Sequence, residues 1–158
     1  MTAFLSSGGE MRILLVEDEF LLGGLMAELL SEAGHRVSGP AASINEALAY
    51  LAADAPQAAL VDLELRGGES GLKLASELAA RGIPTVFVTG QPALARANRS
   101  LGLGLVSKPY LPATLVAVVS WLETAGQGVA RPPRGFEAFD AGCWPLARQS
   151  PPLAALAG

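Results

Sequence analysis

The residues able to do chemistry sit just past short apolar runs: Glu17-Asp18, Asp62 with Glu64 beyond it, Thr89-Gly90, and Ser107-Lys108-Pro109. Carboxylates are hard oxygen ligands for a cation such as Mg²⁺, and one of them can also act as a nucleophile. A hydroxyl and an ammonium donate hydrogen bonds to anionic oxygens. Three acids, one alcohol and one amine are what metal-assisted phosphoryl transfer requires. Taken singly, each has a plainer reading. Asp62 could be an ordinary strand-end carboxylate, Glu17-Asp18 a solvated turn, and Thr89 a helix cap. Lys108 is harder to dismiss. It is one of two lysines among eleven basic residues, and a flexible point charge suits contact with one anionic oxygen better than the broad guanidinium fork does.

The elements that must position these groups follow from the pattern around them. Ile13–Val16, Ala58–Val61, Thr85–Val88 and Leu103–Val106 are apolar on both faces of the pleat, as strands covered on both sides must be. Arg36–Gly39 is weaker and suits an edge strand. Amphipathic stretches near 20–33, 43–53, 71–81, 92–100 and 112–124 lie between and after them, punctuated by Ser43 as N-cap, Gly34, Gly82 and Pro84. Strand and helix alternating five times predicts an α/β fold, a flavodoxin-like doubly wound five-stranded parallel sheet of order 2-1-3-4-5 with helices on both faces. Ligands of such sheets bind beyond the carboxyl ends of the strands, and four of the five strand ends deliver a polar group there.

Composition sets the outer bounds. The 158 residues suit one ordinary domain, and a net charge of −4 offers no basic footprint, which argues against nucleic acid as a partner. A lone Cys143 forms no internal disulfide and points to a reducing, cytoplasmic setting. The start lacks a basic lead and a long apolar core, so no export signal is expected, and the greasiest stretch, Leu111–Leu122, falls short of the roughly 20 residues a membrane span needs. Residues 1–10 read as a flexible leader, 11–125 as the working domain, and the Pro-, Gly- and Ala-rich 126–158 as a mostly irregular tail too short for a DNA-binding module. His35, the single histidine, is expected to be exposed in the turn before the edge strand.

Glu17-Asp18-Glu19, Asp62, Thr89-Gly90 and Lys108-Pro109-Tyr110, spaced by 44, 27 and 19 residues from Asp18 through Asp62 and Thr89 to Lys108, together resemble the receiver domain of two-component response regulators over about 12–123. The resemblance implies that Asp62 is the phosphoacceptor. It implies Mg²⁺ held by Asp18, Glu17, Asp62 and the backbone carbonyl of Glu64, with Thr89 and Lys108 on the phosphoryl oxygens. It implies a cis peptide before Pro109. The implied partners are a sensor histidine kinase or histidine phosphotransfer protein and a downstream protein target. The chain is thus expected to be a stand-alone signalling phosphoacceptor rather than a metabolic enzyme; the alternative is an adaptor that works by protein contact without phosphate.

Three departures qualify the likeness. Leu105 stands where receivers usually carry an aromatic ring. Phe87-Val88-Thr89-Gly90 is similar to the alphaproteobacterial receivers named for a Phe-Ala-Thr-Gly motif, with Val88 replacing the Ala. The loop Leu63–Gly71 lacks the usual Pro and carries its Gly one position late. In that loop the Glu64 side chain is expected to point away from the site.

Overall fold

The computed structural model describes residues 9–125 and 131–139. Six strands form one sheet of order β2-β1-β3-β4-β5-β6. In chain order they are β1 (Arg12–Val16), β2 (Arg36–Ala41), β3 (Ala58–Asp62), β4 (Thr85–Thr89), β5 (Gly104–Ser107) and β6 (Phe136–Ala138). The helices are α1 (Phe20–Glu32), α2 (Ile44–Ala53), α3 (Gly71–Ala80), α4 (Pro92–Ala97) and α5 (Pro112–Ala125). The first five strands are parallel and β6 is antiparallel to β5.

Alternation along the pleat divides the apolar residues between two layers. Ile13, Leu15, Leu60, Val86 and Val106 face α1 and α5, packing on Met26, Leu30, Leu115, Val118 and Leu122. Leu14, Val16, Ala59 and Val61 face the other way, onto Ala47 and Leu51 of α2 and Leu74 and Leu78 of α3. Under α4, Phe87 and Leu105 pack with Leu63, Ala75 and Ala95. Leu105, where an aromatic ring would be usual, is a buried core residue at 2% exposure.

Three differences from the sequence expectation have local causes. First, β2 runs two residues past Gly39. Pro40 packs against α1 at Gly23, where an added Cβ would come within 2.8 Å of the Pro40 ring. The extension brings the Ala41 carbonyl to accept from Glu17 N–H at 2.9 Å, so the edge strand helps to hold the acidic pair. Second, the fourth helix is shorter than 92–100: α4 ends at Ala97 and a 3-10 turn follows at Arg99–Leu101. Third, the sheet has six strands, not five, because part of the segment expected to be irregular forms β6. Residues 1–8 of the 1–10 leader, and residues 126–130 and 140–158, lie outside the described residues.

Candidate functional site

Glu17 and Asp18 follow β1, Asp62 ends β3, Thr89 ends β4 and Lys108 follows β5. Parallel strands in register bring these ends to one rim. Lys108 Nζ lies 2.7 Å from Asp62 Oδ2 and 3.5 Å from Glu17 Oε2. The other Asp62 oxygen, Oδ1, accepts from Glu64 N–H at 2.8 Å. Glu17, Asp18 and Asp62 each offer a carboxylate oxygen, all within 4.8 Å of one another. The peptide between Lys108 and Pro109 is cis, as expected, and so is that between Gly39 and Pro40.

Burial makes this grouping electrostatically tense. Asp62 is 1% exposed and Glu17 4%. Desolvation and the neighbouring Asp62 push the Glu17 carboxyl up to about 7, against the pull of Lys108. Burial alone would lower the Lys108 ammonium, but its hydrogen bond to Asp62 and the charge of Glu17 more than offset this and raise it. Tyr110, half-buried beside the same acids, has its phenol pushed up to about 12, by desolvation first and Glu17 second. One half-buried lysine, with the solvent-exposed Arg66 3.7 Å from Asp18, still leaves three clustered acids with excess negative charge, which a divalent cation would neutralise. These donors fit one: all are oxygens, and Asp18 has accessible surface at its side chain (11%).

The loop after Asp62 is shaped for close packing. Gly71 lies so near β3 that a Cβ there would fall on the Asp62 carbonyl oxygen, and Gly71 N–H donates to the Leu63 carbonyl at 3.1 Å. The displaced glycine is therefore required where it stands. Gly67 and Gly68 turn the chain with φ of 78° and 75°, in the left-handed region. Arg66 N–H at this turn donates to Asp18 Oδ2 at 2.7 Å, joining the loop to the acidic pair. Glu69 reaches back to accept from Ile44 N–H at 3.2 Å.

Thr89 is fully buried and holds its own loop, accepting from Gln91 N–H at 2.8 Å. Its hydroxyl also reaches Glu64 Oε1, at 3.4 Å. This corrects the expectation that Glu64 points away. The side chain folds inward, and its carboxylate lies beside Gly90, 3.5 Å from where a Cβ would be. Glu64 was thus placed by its backbone alone, and its carboxylate was missed. No spacing rule reveals which way a loop side chain turns. His35 is also corrected. It is buried at 7% exposure, with Nδ1 accepting from Met11 N–H at 3.3 Å and lying 3.3 Å from Glu123 Oε1. That places it at the opposite rim, away from the acids.

Comparison with known proteins agrees with this geometry. Residues 13–120 match the family described as the response regulator receiver domain. The phyllosphere-induced regulator PhyR of Methylorubrum extorquens is 32% identical over 111 residues, covering 68% of this chain and 42% of that protein. The crystal structure of the response regulator PhyR from Brucella abortus superposes with a TM-score of 0.65 at 29% identity, over 78% of this chain and 51% of that one. The solution structure of the PhyR receiver domain from Erythrobacter litoralis gives 0.64 at 26% identity, over 79% of this chain and 95% of that one. This chain spans less than half the length of the M. extorquens protein. Among the described residues no helix is long and apolar enough to cross a membrane. By the family match over most of its length, the chain belongs to the response regulator receiver domains.

Proposed function

We propose that this receiver takes a phosphoryl group on Asp62 from the histidine of a sensor kinase or phosphotransfer protein, with Mg²⁺ held by Glu17, Asp18, Asp62 and the Glu64 carbonyl. The observation carrying the reading is Lys108 against Asp62 at 2.7 Å, inside a cluster of three carboxylates, in a chain of this family. In the transfer an Asp62 carboxylate oxygen forms a bond to phosphorus as the partner's nitrogen–phosphorus bond breaks, and the pair of electrons leaves on the imidazole. Bound Mg²⁺ supplies neutralisation of the charge gathering on the phosphoryl oxygens. Lys108 orients the acceptor and then pairs with one phosphoryl oxygen. Thr89 donates its hydroxyl to another once Glu64 releases it. The protein then signals through a downstream protein target rather than by turning over a metabolite.

Flanking residues support a protein donor. Phe20 and Leu21, directly after the acidic cluster, are 85% and 80% exposed, and Leu111, three residues past Lys108, is 72% exposed. Apolar side chains left in water around a buried nucleophile suit contact with another protein.

The test is incubation with acetyl phosphate and Mg²⁺ followed by intact mass measurement and mapping of the modified residue. One phosphoryl group on Asp62 is expected, with none on Asp62→Asn. Labelling of the Asn variant at the wild-type rate would overturn the assignment. A second reading, the adaptor that works without phosphate, draws on Leu105 in place of the ring and on Glu64 occupying the Thr89 hydroxyl. A partner bound equally well by the wild type and Asp62→Asn, with no labelling of either, would favour it.

A further inference from the structure

Among the described residues two basic side chains flank the acidic cluster, and they are held in different ways. Lys108 is hydrogen-bonded to Asp62 at 2.7 Å, with 24% of its side chain in water. Arg66 stands beside Asp18, its Nε 3.7 Å from Oδ2 and its side chain 79% exposed. At that separation there is no hydrogen bond, only attraction between opposite charges. The same oxygen accepts a hydrogen bond from Arg66 N–H at 2.7 Å. Any residue but proline supplies that bond. The backbone therefore ties the loop to Asp18, and the guanidinium contributes its charge alone.

The loop fixes the backbone of Arg66 and leaves its side chain room to move. Leu65 before it is buried with Leu14, Val16 and Leu74, and its N–H donates to the Glu69 carbonyl at 3.3 Å. After it, nothing lies within 4 Å of where a Cβ would stand on Gly67 or Gly68. Exposed ion pairs of this kind are weak and screened by salt. Asp18 is withdrawn by comparison, its side chain 11% exposed and its carboxylate grouped with those of Glu17 and Asp62. A cation drawn to that group meets a guanidinium at Asp18, and like charges sharing one carboxylate repel each other.

We propose that Arg66 is a displaceable counter-ion of Asp18: its guanidinium and Mg²⁺ compete for that carboxylate, so Arg66 sets how much free Mg²⁺ the site needs. The inference rests on the reading of Glu17, Asp18 and Asp62 as a Mg²⁺ site. It divides the labour between the two cations. Lys108, short-bonded and partly buried, stays with the acceptor, whereas Arg66, solvated and at longer range, gives way. The Arg66 N–H bond to Asp18 need not break in the exchange, so the charge can leave while the loop stays.

Calorimetric titration of Mg²⁺ into the full chain at low ionic strength tests it, alongside Arg66→Gln, Arg66→Lys and Asp18→Asn. Arg66→Gln keeps the backbone bond and loses the charge, and should bind Mg²⁺ about three- to tenfold more tightly than the wild type. Arg66→Lys keeps a charge and should stay within roughly twofold of the wild type. In 1 M KCl the gain of Arg66→Gln should fall below about twofold, because screening removes the repulsion it relieves. A guanidinium that merely props Asp18 in its ligating position would give the opposite sign. Equal or weaker binding by Arg66→Gln overturns the proposal, as does an equal gain in Arg66→Lys or a gain that persists in 1 M KCl. Nitrogen-15 NMR of the wild type gives a second readout. The Arg66 Nε–H signal should move toward that of a solvated arginine as Mg²⁺ is added, and a signal unmoved at saturation overturns the proposal. A wild type that takes up no Mg²⁺, or an Asp18→Asn variant that binds it equally well, overturns the metal site itself and this inference with it.

Discussion

At the carboxyl rim of the sheet Lys108 sits 2.7 Å from Asp62 with Glu17 beside it, and at the amino rim His35 sits 3.3 Å from Glu123. Both rims bury an acid against a base. At the carboxyl rim the acids outnumber the base, both Asp62 oxygens have donors, and the Asp18 and Lys108 side chains keep 11% and 24% of their surface in water. At the amino rim one acid meets one base, and the His35 side chain is 3% exposed. Nδ1 there accepts from Met11 N–H, leaving Glu123 Oε1 buried without a hydrogen bond. Excess charge with an opening makes a site that a cation and an anion can enter. A histidine and a carboxylate packed together without one make a clasp between the start of β1, the α1–β2 turn and the end of α5.

Removing the base from each rim should have the largest effect. Lys108→Ala leaves Glu17 and Asp62 buried and unopposed, and is expected to cost about 3 kcal/mol of metal-free stability, as the loss of one partner from a buried ion pair does. Millimolar Mg²⁺ should restore a large part of it in urea unfolding, because the cation takes over the lost charge. The same variant should label with acetyl phosphate at least a hundredfold more slowly. A metal-insensitive Lys108→Ala would mean that the carboxyl rim is a clasp too.

The pH dependence separates the rims next. The native carboxyl of Glu17 stands near 7, above its usual 4.5, so the folded protein holds this proton more tightly than the unfolded chain. The resulting stabilisation is complete below about pH 4.5 and is lost as pH rises through 7. At ~1.4 kcal/mol per pH unit the fall is expected to reach about 3–4 kcal/mol without metal. Saturating Mg²⁺ should flatten it, and Glu17→Gln should remove it.

His35→Ala comes third. It strips Met11 N–H and Glu123 of their buried neighbour, at an expected cost of about 2 kcal/mol, with no dependence on Mg²⁺ and unchanged labelling of Asp62. Sequence reasoning misplaced this residue for a physical reason. A polar side chain in a turn is normally solvated, and nothing within ten residues of His35 signals that α5 returns over it with Glu123. The five core strands and the grouping of Asp18, Asp62, Thr89 and Lys108 were legible because each depends on local pattern: an apolar run, then a polar residue, with parallel order bringing the ends together. β6 was not, since Phe136-Glu137-Ala138 has no meaning as a strand until β5 presents Gly104 to it and α4 presents Arg96. Contacts between residues distant in sequence, and the turning of one loop side chain, are where pattern stops being informative.

That loop side chain gives the smallest expected effect and the finest distinction within the carboxyl rim. Glu64 Oε1 takes the Thr89 hydroxyl at 3.4 Å and sets a carboxylate beside Gly90, where an incoming phosphoryl group would need a donor and would meet a like charge. Glu64→Ala frees the hydroxyl, removes the charge and leaves the backbone N–H on Asp62 in place. Labelling of Asp62 by acetyl phosphate should therefore quicken by about three- to tenfold, equivalent to roughly 0.7–1.4 kcal/mol. Glu64→Gln keeps the volume and loses the charge, so it separates the two causes. A gain shared by both variants assigns the effect to repulsion, and a gain confined to Ala assigns it to the blocked hydroxyl. Slower labelling in both would mean that Glu64 assists the acceptor rather than shielding it, and the carboxyl rim would then hold four cooperating acids.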